Sequence, residues 1–192
     1  MKQARVAALA VLALGLAGAA GVARADGIRS EYVSNIQDVE DKLISLARAT
    51  PDKKFLWRPS KGVRSISEVY MHVVGSNYVL PSYAGVKPPE NLSPELEKSV
   101  TDKQRVIEYL ESSFKHLRRA IESTSDEDLD KVVKTYLGDM TERALYLQAV
   151  THGHEHLGQS IAYARMNHIV PPWTAADEHA HEGGKGKAAP EN

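Results

Sequence analysis

No cysteine occurs in the 192 residues of this chain, which excludes a thiol nucleophile, a disulfide framework and a cysteine-type zinc site. A surplus of one charge is missing as well. The 24 Lys and Arg stand against 25 Asp and Glu with no basic face, so nucleic acid is not an expected partner. Neither a glycine-rich phosphate loop nor a Gly-x-Ser-x-Gly turn is present. The His-Glu-x-x-His pattern of metalloproteases is absent, as are inward Glu-x-x-His pairs of the di-iron type. There is no internal repeat. Any metal chemistry must therefore draw on histidine, carboxylate and water.

What is present begins with a targeting segment. Lys2 and Arg5 precede an apolar stretch from Val6 to Val22, and Ala23-Arg24-Ala25 offers small residues where a signal peptidase reads. Residues 1–25 are thus predicted to be a secretory signal peptide. A retained anchor fits less well, because the stretch is barely long enough and runs straight into the cleavage pattern. The expectation is an exported protein, periplasmic or secreted, with no membrane attachment after cleavage. Without Lys2, Arg5 and Arg24 the formal charge moves from −1 to −4. The remaining length suits one domain with a real core and no disulfides, held together by packing.

Apolar periodicity predicts an all-α four-helix bundle over residues 26–173, with little strand. The first helix, about Ile28 to Ala49, carries Tyr32, Ile36, Val39, Leu43 and Leu46 at helical spacing and stops at Thr50-Pro51-Asp52. Trp57, in the loop that follows, reads as a lid on the core. A second helix opens at Ser65 with Glu68 as a capping box and ends near Pro81. A long polar connection, Pro81 to Pro94, then crosses one end of the bundle. The third helix, about Pro94 to Ser123, is patterned by Leu96, Val100, Ile107, Leu110, Phe114, Leu117 and Ile121. Its charged residues, with His116 among them, read as a solvated face. A turn-rich stretch, Ser123 to Asp139, precedes the fourth helix, about Thr141 to Asn167, which Pro171-Pro172 forbids from continuing. Residues 174–192, rich in Ala, Gly, Glu and Lys, read as a disordered tail.

The fourth helix contains Thr151-His152-Gly153-His154-Glu155-His156-Leu157-Gly158-Gln159. At about 100° per residue His152 and His156 lie about 40° apart on one face, whereas His154 points about 200° away from His152. Leu145, Gln148, Ala149, Gln159 and Tyr163 share the face of the pair, which makes it the buried one. Glu142, Arg143, His154 and part of Arg165 fall opposite. Two inward imidazoles one turn apart need hydrogen bonds or a metal. His72, between Val69 and Ser76 on the second helix, faces inward too and supplies a third nitrogen. Three neutral imidazoles from two helices make an open platform for one divalent transition metal, and the ligand set suits zinc, nickel or iron. Such an ion would polarise a substrate oxygen or bring the pKa of bound water towards about 7. Gln159, one turn beyond His156, is a candidate outer partner of the cluster or a helix-packing residue. No separate general base stands out, so catalytic residues stay unassigned. His168 closes the fourth helix, where it can meet the dipole. His179 and His181 lie in the tail.

Trp57-Arg58-Pro59, Ser65-Ile66-Ser67-Glu68-Val69-Tyr70-Met71-His72, His152-x-x-x-His156-x-x-Gln159 and Pro171-Pro172, in this order, resemble the DinB-like superfamily, also called DinB/YfiT-like. The resemblance spans roughly Ile28 to Trp173. It implies a four-helix bundle and a metal held by three histidines that map onto His72, His152 and His156, and members of the family are frequently homodimers. Some relatives are transferases or isomerases that use bacillithiol or mycothiol, and many have no assigned activity. Export would set this chain apart from them, since reduced small thiols are scarce outside the cytoplasm. The leading expectation is an exported, metal-dependent hydrolase or transferase acting on a small molecule. The alternative is a non-catalytic bundle that binds metal, or a plain interaction domain with buried histidines.

Overall fold

The computed structural model describes residues 25–174 together with Ala176. All of the predicted signal peptide but Ala25 and nearly all of the predicted tail, including His179 and His181, lie outside the described residues. Helix α1 spans Ala25–Ala49 and buries the five apolar residues its periodicity selects, from Tyr32 to Leu46. Thr50 ends it by folding its own hydroxyl onto the Leu46 carbonyl, 2.8 Å away, before Pro51 removes the next backbone donor. A 3-10 turn, Asp52–Lys54, leads into a loop pinned to the start of the next helix. There the Ile66 amide donates to Trp57 O and the Ser67 amide to Phe55 O.

Helix α2 spans Ile66–Ser82 and begins with a complete capping box. The Glu68 amide donates to Ser65 Oγ at 3.3 Å, and the Ser65 amide donates to Glu68 Oε2 at 2.7 Å. Two otherwise orphaned donors are satisfied at once, which fixes where the helix starts and hence which way each later residue faces.

The single third helix expected from Pro94 to Ser123 is two helices. A short α3, Leu96–Ser99, ends at Val100 in extended conformation, and α4 begins afresh as Lys103–Ser123 with Asp102 capping the Arg105 amide. The apolar pattern runs on across the break because Leu96 and Val100 still pack on the core, although the backbone has changed direction. On α4, Val106, Leu110, Phe114, Leu117 and Ile121 are wholly buried, each worth roughly 1.5–3 kcal/mol of hydrophobic stabilisation. Arg118 of α4 pairs with the buried Glu40 of α1.

The stretch read as turn-rich holds a one-turn helix, α5 (Asp126–Leu129), and an antiparallel hairpin of β1 (Val132–Thr135) and β2 (Gly138–Thr141). Thr135 pairs with Gly138 across the tip, and Gly138 takes φ 108°, a conformation open to glycine and strained for other residues. Thr141 then caps α6, Glu142–Met166, through the Ala144 amide. The architecture remains an all-helical bundle with one small hairpin. Helix α1 packs on α4 and α6, and α2 packs on the same two, while α3 lies against α2. The long connection therefore folds back along α2 before the chain enters α4. No described helix is long and apolar enough to cross a membrane.

Candidate metal centre

Two packed helices, α2 and α6, bring the imidazoles together. His72 faces inward from α2 at a position set by the Ser65 cap. His152 and His156 follow one another by a single turn on α6, on the side that packs against α2. Between them Gly153 is buried against α1, and a Cβ there would sit 3.1 Å from Val39 Cγ1. That missing side chain is what allows α6 so close to α1 at the level of the histidines.

The three rings converge on a common point. His152 Nε2 lies 3.2 Å from His72 Nε2 and 3.2 Å from His156 Nε2. The ligand atoms of all three residues lie within 4.8 Å of one another. Donors of a tetrahedral zinc ion, each about 2.0–2.1 Å from the metal, stand about 3.3 Å apart, so the cluster already has nearly the span such an ion needs.

Hydrogen bonds on the far side of two rings set their tautomers. Glu97 Oε2 lies 3.2 Å from His72 Nδ1, and Gln159 Oε1 lies 2.8 Å from His156 Nδ1. Gln159 Nε2 in turn donates to the Tyr163 hydroxyl at 3.1 Å, which leaves the amide oxygen for His156. With Nδ1–H donating outward, both rings turn a bare Nε2 lone pair towards His152. Ser76 Oγ stands 3.3 Å from His152 Nε2. Burial, then the positive charge of His156, His72 and Arg64, lowers the His152 pKa to about 4. Burial, then Arg64 and His156, also holds His72 below the usual histidine range against the opposing pull of Glu97. Converging imidazole nitrogens, with the rings of His72 and His152 lowered in proton affinity, are the donor set a borderline transition metal prefers, so the residues fit such an ion.

A pocket of about 430 Å³ opens beside the cluster, with His72 and His152 in its wall. Apolar side chains of α2 and of the connection dominate the lining, and Tyr136 reaches it from the hairpin tip. Glu97 is the sole carboxylate among the lining residues.

The other sequence-selected residues fall elsewhere. His154 is exposed, with Nδ1 2.9 Å from the Val150 carbonyl oxygen, and stays apart from the cluster. His116, expected on the solvated face, is half-buried with its ring 5.0 Å from that of Tyr78. Glu142, placed on the solvent side by the helical projection, is 7% exposed, because α5 and the hairpin cover the start of α6. His168 takes φ 60° just past the end of α6. Trp57 packs against the core, edge-on to Tyr163 at 5.5 Å. Glu97 and its partner Arg64, 2.8 Å apart, were not singled out in the sequence. No distinct signal marks Glu97 in the sequence, where it stands between Leu96 and Lys98 with Glu95 and Ser99 beyond.

A helical bundle with three imidazole nitrogens gathered between two helices, open on one side to a pocket, defines a four-helix protein with a site able to hold a metal ion. The sequence pattern of the DinB superfamily matches residues 35–160, and the chain belongs to that superfamily. Among solved structures it is similar to a DinB-like protein from Bacillus cereus, with 17% identity, a TM-score of 0.64, and coverage of 77% of this chain and 95% of that one. A DinB-like protein from Bacillus subtilis is similar at 18% identity and a TM-score of 0.59, covering 73% of this chain and 93% of its own. A mycothiol-dependent maleylpyruvate isomerase shares the fold more distantly, at 15% identity and a TM-score of 0.54 over 67% of this chain and 59% of that one. No functionally curated protein matches the sequence.

Proposed function

We propose that this chain is an exported DinB-superfamily protein that holds one divalent transition metal on His72, His152 and His156 and acts as a metal-dependent hydrolase or transferase on a small molecule. The observation that carries the reading is the convergence of three Nε2 atoms, with the outer nitrogens of His72 and His156 already committed to Glu97 and Gln159. When bound, such an ion supplies Lewis acidity towards an oxygen or sulfur donor. The chain's own residues orient the rings, exclude water on the α1 side and leave one side open to the pocket. An adjoining pocket favours a site that receives a ligand over a closed structural one.

A second reading, a binder that sequesters metal, draws support from one feature. Glu97 is engaged by both His72 and Arg64, so no uncommitted carboxylate lines the pocket among the described residues. Metal analysis of protein purified without a histidine tag tests both readings: about one transition-metal ion per chain is expected, lost in His72→Ala. Metal retained unchanged in that variant would overturn the site. The two readings part on the cobalt-substituted protein, whose visible spectrum should respond to azide if the ion keeps an exchangeable position.

A further inference from the structure

The pocket beside the histidines has a composition that selects its ligand. Its volume, about 430 Å³, falls in the roughly 300–1,000 Å³ range of small-molecule sites. Met71, Val74, Val79, Leu80, Leu92 and Leu96 are among the apolar side chains of its wall. The polar lining is concentrated where His72, His152, Ser76 and Glu97 touch one another, and beyond that group Ser93, Gln148 and the phenol of Tyr136 are what remains. No lysine or arginine lines it, and its single carboxylate is held by Arg64 and His72. A hydroxyl-rich or multiply charged ligand would be stripped of water at many groups and recover few hydrogen bonds. A ligand with an apolar body and one electron-rich head group would lose little and gain the burial of its body.

Gly75 strengthens this assignment. It lies in the interior of α2, three residues after His72, where glycine is a poor helix former. A Cβ at Gly75 would meet nothing within 4 Å, and the residue forms part of the pocket wall. Helix packing therefore does not demand a glycine here. What its missing side chain does is leave room in the pocket next to the histidines.

We infer that the pocket binds an apolar monocarboxylate or a close oxygen-donor relative, with the hydrocarbon body along α2 beside Gly75 and the head group at the histidine cluster. The head-group half of this inference rests on the metal reading above, whereas the body half rests on the pocket alone. Straight-chain monocarboxylates from butyrate to decanoate are the probe, titrated calorimetrically into the full chain both cobalt-loaded and metal-free. Affinity should climb about fourfold per methylene in both forms until the cavity is full, with cobalt tightening every member by one common factor. Phenyl-terminated acids in the same assay separate a linear body from an aromatic one.

Gly75→Phe should load cobalt normally yet flatten the dependence on chain length, and Gly75→Leu should do so in part should the larger variant fold poorly. Affinity independent of chain length in the wild-type protein, or an unaltered slope in both Gly75 variants, overturns the inference. A slope that persists while bound cobalt changes nothing would overturn the head-group half and leave the apolar pocket standing, whereas failure of the chain to load cobalt at all would remove the metal reading.

Discussion

Glu97 Oε2 stands 3.2 Å from His72 Nδ1, so a residue of the connection between α2 and α4 holds one imidazole of the cluster. Outer partners of this kind fix ring orientation and tautomer, and their loss typically lowers metal affinity about 10- to 100-fold. Glu97→Ala should weaken metal binding by that amount. Glu97→Gln, whose amide oxygen still accepts from Nδ1–H, should cost less. Competition against a chromophoric chelator measures both, and an Ala variant as tight as wild type would show that Glu97 does not support the site.

His152 and His154 differ by two residues and point opposite ways, one into the cluster and one to solvent. His152→Ala should abolish stoichiometric metal, whereas His154→Ala should retain about one ion per chain. Equal loss in the two variants, read by elemental analysis, would contradict the helical facing on which the site depends.

Protonation should act on the metal-free protein in a defined direction. His152 has a folded pKa of about 4 against an ordinary value of 6.5, and His72 is lowered as well. The folded state therefore binds fewer protons than the unfolded chain between those values. The stability this contributes is complete above about pH 6.5 and is lost as the pH falls through about 4. The thermal midpoint of metal-free protein should drop on acidification from pH 7 to 4, and His152→Gln should drop less steeply. A wild-type midpoint that rises over that interval would be the contrary result.

The bundle and the inward histidines were legible in sequence because their signals are local. Ser65 and Glu68 are three residues apart, His152 and His156 four, and both separations map directly onto helix geometry. Glu97 was not legible, since it meets His72 across 25 residues from a four-residue helix whose position depends on how the connection folds. The break before α4 left one readable trace, Asp102 as a cap, but the apolar spacing of Leu96 and Val100 continued through it. Glu142 eluded the helical projection for a related reason. A wheel drawn on α6 alone cannot know that α5 and the hairpin lie over its first turn.

Two helical glycines should respond to alanine with different outcomes. At Gly75 a Cβ meets open space, so Gly75→Ala should stabilise the protein by about 1 kcal/mol through helix propensity. At Gly153 the same Cβ would lie 3.1 Å from Val39 Cγ1, and Val39 is wholly buried with a stiff branched side chain. Overpacking of that kind costs about 1–3 kcal/mol, which should leave Gly153→Ala less stable than Gly75→Ala by about that margin. Urea denaturation of the pair gives the difference directly, and equal stabilities would mean that α1 and α6 can move apart freely.

Tyr163 reaches the cluster through one intermediary. Its hydroxyl accepts from Gln159 Nε2, so the amide oxygen of Gln159 is the end presented to His156 Nδ1. Gln159→Leu removes the acceptor and leaves a part-buried N–H without its partner, and metal affinity should fall about 10- to 100-fold. Tyr163→Phe keeps Gln159 but no longer fixes which way its amide points, so the fall should be smaller. Gln159→Glu restores an acceptor on both oxygens and should recover most of the affinity even in the Tyr163→Phe background. That rescue separates an orienting role from simple packing, because a carboxylate fills the same space as the amide but has no wrong orientation. Chelator competition on the four variants reads the order, and a Tyr163→Phe loss that Gln159→Glu fails to repair would place Tyr163's contribution in the packing of Trp57 instead.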